Sequence, residues 1–127
     1  MTPGRVLVVE DNERNRKLVR TVLEHAGYDV VEASTGEQGV TRAAEVHPDL
    51  VLMDVQLPGI DGHEALHRLR DAETTRHLPV VAVTAFAMKG DDTRALAEGF
   101  DGYIEKPISV RSLVEQVRGF LEPTEER

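Results

Sequence analysis

Residues 50–58 read Leu50-Val51-Leu52-Met53-Asp54-Val55-Gln56-Leu57-Pro58: four apolar side chains in succession, an acid, then a run into proline. A strand with one face in water alternates apolar and polar residues. A run that is apolar at every position is buried on both faces, the condition of a parallel sheet covered by helices. Val6-Leu7-Val8-Val9 and Val80-Val81-Ala82-Val83 have the same character. Val30-Val31 and Tyr103-Ile104 are shorter and more polar in setting, which suits edge strands.

The segments between these runs carry helical period. Leu18, Val19, Val22, Leu23 and Ala26 form one stripe, and Gly27 offers a left-handed stop. Ser34 followed by Glu37 predicts a capping box opening a second helix through Val40, Ala43 and Ala44. Asp61 and Glu64 repeat that spacing before Ala65, Leu66 and Leu69. A weaker helix is predicted over roughly 92–98, ending at Gly99. A last one begins near Ser109 and carries Leu113, Val114, Val117, Phe120 and Leu121. Five strands alternating with five helices predict an α/β fold with a doubly wound parallel sheet. The 127 residues fit a single domain, with a core over about 4–121 and a polar tail over 122–127.

The absence of cysteine removes disulfides and thiolate metal sites. A net charge of −8, with no basic stripe and no Trp, argues against a nucleic-acid partner, because phosphate backbones demand a basic footprint. No apolar stretch approaches the ~20 residues that span a bilayer. The opening Met1-Thr2-Pro3-Gly4-Arg5 lacks the basic-then-apolar run of a signal peptide. A soluble cytoplasmic protein without membrane partners is expected.

In sheets of this kind, ligands bind beyond the carboxyl ends of the strands, where the winding reverses. The first run is followed by Glu10 and Asp11, the third by Asp54, the fourth by Thr84, and the fifth by Lys106 before Pro107. The second, ending Ala33-Ser34, adds no comparable group. Each residue alone has an ordinary reading: Asp11 or Asn12 as a helix cap, Thr84 as a strand residue, Lys106 as a solvated surface lysine. Their gathering at one rim does not. Two carboxylates 4 Å apart repel by about 4 kcal/mol at an effective dielectric of 20, so three of them call for a cation. An all-oxygen donor set favours Mg²⁺ or Mn²⁺ over Zn²⁺. The remaining ammonium and hydroxyl are what a transferred phosphoryl group needs, and a central Asp can serve as its acceptor.

The chain resembles the receiver domains of two-component response regulators. The resemblance rests on Val8-Val9-Glu10-Asp11-Asn12, Leu52-Met53-Asp54-Val55-Gln56-Leu57-Pro58, Gly59-Ile60-Asp61-Gly62, Thr84-Ala85 and Tyr103-Ile104-Glu105-Lys106-Pro107. It implies the flavodoxin-like strand order 2-1-3-4-5 and a phosphoacceptor at Asp54. Mg²⁺ would be held by Asp11, Asp54 and the Gln56 carbonyl, with Glu10 acting through water. Thr84 and Lys106 would hold the phosphoryl oxygens, a cis peptide would precede Pro107, and Tyr103 would occupy an aromatic switch position. Glu10-Asp11-Asn12-x-x-Asn15 and Thr84-Ala85-Phe86-Ala87-Met88 resemble phosphorelay receivers, including stand-alone ones of the DivK type. The implied donor is a histidine kinase or a histidine phosphotransfer protein. With no effector domain attached, the output is expected to be a protein contact. Such a chain is no turnover enzyme, though it assists its own phosphorylation and dephosphorylation. The signal is expected to pass from Thr84 to Tyr103, with residues 86–90 as the moving loop.

Rival readings are a receiver-like binding module that works without phosphorylation and a receiver piece of a hybrid kinase. His63-Glu64-Ala65-Leu66-His67 also matches the zinc-protease pattern H-E-x-x-H. That helix is predicted to be about two turns long, and Leu66 and Leu69 face the core, which leaves the histidines on a flank. A flavin carrier would need backbone donors after the first strand, where Glu10-Asp11-Asn12-Glu13 would repel a bare phosphate.

Overall fold

A computed structural model of the chain describes residues 4–85 and 99–121. In chain order the elements are β1 (Arg5–Val9), α1 (Glu13–His25), β2 (Asp29–Ala33), α2 (Gly36–Val46), β3 (Leu50–Asp54), α3 (Gly62–Asp71), β4 (Val80–Thr84), β5 (Gly102–Glu105) and α4 (Val110–Leu121). The five strands form one sheet in the order β2-β1-β3-β4-β5, every neighbouring pair parallel. The helix expected over 92–98, the loop 86–90 and the tail 122–127 lie outside the described residues.

The near-continuous apolar runs are buried on both faces, as their composition demands. Leu7, Val9, Val51, Met53, Val80 and Ala82 point to one side, against Ala43 of α2 and Ala65, Leu66 and Leu69 of α3. Their neighbours Val6, Val8, Leu50, Leu52, Val81 and Val83 point to the other, against Val19 and Leu23 of α1 and Leu113 and Val117 of α4. The sheet is thus doubly wound. β2 and β5 are its edges, which explains why those two runs are short and mixed.

The helix ends follow local chemistry, with one correction. Asn12 caps α1 by accepting from the Asn15 amide at 2.9 Å, and Asp61 caps α3 by accepting from the Glu64 amide at 2.9 Å. The box predicted at Ser34 and Glu37 is displaced by one residue. Thr35 is the cap, accepting from the Gln38 amide at 3.0 Å, and the Gln38 side chain accepts from the Ser34 amide at 2.9 Å. Thr35 and Gln38 have the required spacing as well, and the placement of α2 on the sheet selects that register. α3 runs for 10 residues, nearer three turns than two. Gly27, at φ 101°, follows α1 in the left-handed region as its position suggested.

Connections pass from β1 to β2 on one side and then across to β3 on the other. The reversal opens a crevice at the carboxyl ends of β1 and β3, where Glu10, Asp11 and Asp54 lie.

Candidate functional site

Glu10, Asp11 and Asp54 come together in that crevice. One ligand oxygen from each lies within 4.8 Å of the other two. Glu10 continues the β1 ladder, its amide donating to the Ala33 carbonyl at 3.0 Å, and its carboxylate accepts from the Asn12 amide at 3.1 Å. Asp54 ends β3 and is 2% exposed, with Oδ1 accepting from the Gln56 amide at 2.9 Å. Asp11 is exposed. The set is two buried carboxylates, one open to solvent, and no nitrogen or sulfur donor. It suits a hard divalent cation that keeps part of its water.

Lys106 reaches the same crevice from beyond β5. Its Nζ donates to Asp54 Oδ2 at 2.7 Å and lies 3.5 Å from Glu10 Oε1. The Lys106–Pro107 peptide bond is cis. Thr84 closes β4, 1% exposed, and its carbonyl accepts from the Lys106 amide at 2.7 Å, which fixes β4 and the lysine in register. Gln56 sits two residues past Asp54 in the loop that follows β3. Tyr103, paired with Ala82 in the β4–β5 register, is 37% exposed and directed outward on β5.

The electrostatics reflect a cluster of acids around one ammonium. Burial, together with repulsion from Asp54, pushes the Glu10 carboxyl up to about 7, against the opposing pull of the Asn12 amide and Lys106. Burial alone would lower the Lys106 ammonium, but the Asp54 hydrogen bond and the two nearby carboxylates outweigh it and raise it. Between its ordinary value of 4.5 and about 7, Glu10 is protonated in the folded chain and ionised in the unfolded one. Its contribution to stability is therefore complete at low pH and is lost as pH rises to about 7. In EDTA, thermal unfolding should shift downward between pH 5 and pH 8, by up to about 3 kcal/mol from this group. Glu10→Gln should flatten that trend, and an unchanged slope in the variant would refute the role given to Glu10.

The residues flagged at the strand ends are thus brought together: Glu10, Asp11 and Asp54 with Lys106 and Thr84 beside them. The histidines of H-E-x-x-H are not part of it. His63 packs edge-on against Phe100 with centroids 5.9 Å apart, Glu64 pairs with Arg68 at 3.2 Å, and His67 faces solvent. Among the described residues, neither histidine joins a group of three metal-ligating side chains. Two contributors were not foreseen. Arg16 donates to the Glu10 carbonyl at 2.9 Å, a contact with no motif to announce it. Gly62 sits where a β-carbon would collide with the backbone of residues 54 and 55, and its place in Gly59-Ile60-Asp61-Gly62 was the available signal.

A parallel sheet in this order, with three acids at its reversal point and a lysine across from them, is the architecture of a response-regulator receiver. The response regulator receiver domain family matches residues 6–118, and the chain belongs to it. It is similar to the polar-differentiation response regulator DivK of Brucella ovis, 48% identical over 91% of this chain and 94% of that protein. A putative response regulator from Chloroflexus aurantiacus superposes with a TM-score of 0.87 at 32% identity, covering 94% of this chain and 98% of that one. The receiver domain of a Pseudomonas aeruginosa sensor histidine kinase, solved with magnesium in its active-site cleft, superposes at 0.85 with 33% identity, covering 93% and 97%. The chain is accordingly a phosphorylation-dependent signalling protein of the two-component type. No described helix is long and apolar enough to cross a membrane.

Proposed function

We propose that Asp54 is the phosphoacceptor, that Mg²⁺ binds among Glu10, Asp11, Asp54 and the Gln56 carbonyl, and that Thr84 and Lys106 receive the transferred group. The single observation carrying this reading is the convergence of three carboxylates with the Lys106 ammonium 2.7 Å from Asp54. The donor set fits the metal, being all oxygen and partly open, and the magnesium in the Pseudomonas domain supports the choice of ion. When bound, Mg²⁺ would neutralise the crowded carboxylates and the incoming phosphoryl oxygens.

The chain's own residues do the rest. A carboxylate oxygen of Asp54 attacks the phosphorus of a phosphohistidine. The P–O bond forms as the P–N bond breaks, and the departing imidazole keeps the electron pair and takes a proton from water. Lys106, which holds Asp54 Oδ2 before transfer, is placed to follow the charge onto the phosphoryl oxygens. The Gln56 amide holds Oδ1 and fixes the carboxylate plane. Donors are histidine kinases or histidine phosphotransfer proteins, and the output is a protein contact. The chain acts in the cytoplasm as one receiver domain, promoting its own phosphorylation and dephosphorylation without turning over a separate substrate.

Incubation with phosphoramidate and Mg²⁺ should add one phosphoryl group, seen by intact-mass spectrometry, stable in acid and lost in base. EDTA should prevent it. Unlabelled protein under saturating Mg²⁺ would favour the reading in which the chain binds partners without phosphorylation.

The signal is proposed to leave through Thr84 and Tyr103. A phosphoryl group adds about 1.5 to 2 negative charges and three acceptor oxygens beside Thr84. A charge-assisted bond from its hydroxyl contributes roughly 1.5–3 kcal/mol, which shifts a two-state equilibrium about tenfold to a hundredfold. Thr84→Ala should still be phosphorylated, with Lys106 in place, yet lose most of the phosphate-dependent gain in partner affinity. Calorimetry with and without beryllofluoride measures that gain, and an undiminished gain in the variant would rule Thr84 out.

A further inference from the structure

The Glu10–Asp11 peptide lies where the β1–β2 ladder runs out. The last rung is the Glu10 amide on the Ala33 carbonyl, at 3.0 Å, and β2 ends there. The Glu10 carbonyl faces a guanidinium in place of a next strand residue: Arg16 Nη1 donates to it at 2.9 Å. The same guanidinium is pinned by Glu32 on β2, Nε to Oε1 at 3.0 Å. The other Glu32 oxygen is taken by Arg20 at 2.6 Å. Arg16 and Glu32 are 18% and 29% exposed, so the contact is largely shielded from water. One planar fork thus spans an edge strand and the acid-bearing loop, a geometry a lysine cannot reproduce.

The effect falls on Asp11. Its carboxylate is exposed and, among the described residues, has no hydrogen bond to hold it, so its position depends on the peptide that precedes it. We propose that Arg16, braced by Glu32, is a positioning residue that holds the Glu10–Asp11 peptide in the orientation needed to bind a divalent cation. The inference rests on the metal site proposed above. Arg16 acts through the backbone and touches no reacting atom. Its positive charge alone would disfavour a cation, so charge and geometry predict opposite results when it is removed.

That opposition makes the test decisive. Free Mn²⁺ would be counted by electron paramagnetic resonance against wild type, Arg16→Lys, Arg16→Met and Glu32→Gln. Arg16→Lys keeps the charge and loses the fork. All three variants should bind Mn²⁺ more weakly, Arg16→Met by about tenfold, in the range seen when supports of ligand side chains are removed. Exchange of the Glu10 amide, which is bonded to the Ala33 carbonyl at 3.0 Å, should be faster in the metal-free variants. Labelling by phosphoramidate should need more Mg²⁺ for half-saturation, with a near-normal rate at saturating Mg²⁺. Wild-type affinity in Arg16→Lys together with tighter binding in Arg16→Met would reduce Arg16 to a charge and overturn the proposal. Lower thermal stability with unchanged Mn²⁺ affinity would overturn it as well, leaving only a structural clamp. Wild type that binds Mn²⁺ but takes no phosphoryl group would sink the phosphoacceptor reading while leaving the Mn²⁺ comparison intact. Wild type that binds no Mn²⁺ would end both.

Discussion

Replacing Asp54 with Ala is expected to take phosphoryl uptake from stoichiometric to background under conditions that label the wild type. Asp54 is 2% exposed and sits where Lys106 and the Gln56 amide converge. Among the described residues no other carboxylate in the crevice combines that burial with both donors, so neither Glu10 nor Asp11 is placed to substitute. Asp54→Asn is the sharper control. It keeps the size and shape of the side chain and one acceptor oxygen, for either Lys106 or the Gln56 amide but not both, and its carboxamide is too weak a nucleophile to form the acyl phosphate. A second readout is independent of labelling. Glu10 is pushed up first by burial and then by the charge of Asp54. In Asp54→Ala the second cause disappears while the first remains. Carboxyl carbon resonances should then show Glu10 titrating lower than in wild type, yet still above 4.5. Full labelling of Asp54→Asn would move the acceptor elsewhere.

Gly62→Ala is expected to have the largest effect on stability of any single methyl group added near the site. A β-carbon there would lie 2.6 Å from the Val55 Cα and press on the Asp54 carbonyl oxygen. Both are backbone, so neither can rotate aside. The Gly62 amide also donates to the Val55 carbonyl at 3.1 Å, which stitches the start of α3 to the end of β3. Either α3 retreats and loses that bond, or the end of β3 shifts and carries Asp54 with it. Overpacking and one lost buried bond together cost about 3 kcal/mol, a fall of about 10 °C in the unfolding midpoint. Mn²⁺ affinity should fall in parallel. Gly119→Ala supplies the contrast, since a β-carbon there meets nothing within 4 Å inside helix α4 and should stabilise by about 0.5–1 kcal/mol. Equal midpoints for Gly62→Ala and wild type would show that the loop yields freely.

Much of this site is legible in the sequence. Strand runs reveal themselves through continuous burial, and the residue after each run must sit at the carboxyl rim. That reasoning alone gathered Glu10, Asp11, Asp54, Thr84 and Lys106. The register of a cap was less legible, because Ser34 with Glu37 and Thr35 with Gln38 offer the same chemistry one residue apart. Only the packing of α2 chooses between them, and Thr35 is chosen. The H-E-x-x-H pattern shows the reverse case, where a matching string carries no site because Leu66 and Leu69 turn inward and leave His67 in solvent.

By itself the sequence determined the alternation of strands and helices, the buried character of β1, β3 and β4, and the set of polar groups at the rim. These depend on periodicity and on neighbours close along the chain, which a linear reading contains. The tertiary structure decided which groups touch. Lys106 meets Asp54 across 52 positions, and Arg16 meets Glu32 across 16, because the sheet order and the two-sided winding bring them together. The unusual proton affinity of Glu10 belongs to the same category. It arises from burial and from the field of residues remote in sequence, and both exist only once the chain has closed around them.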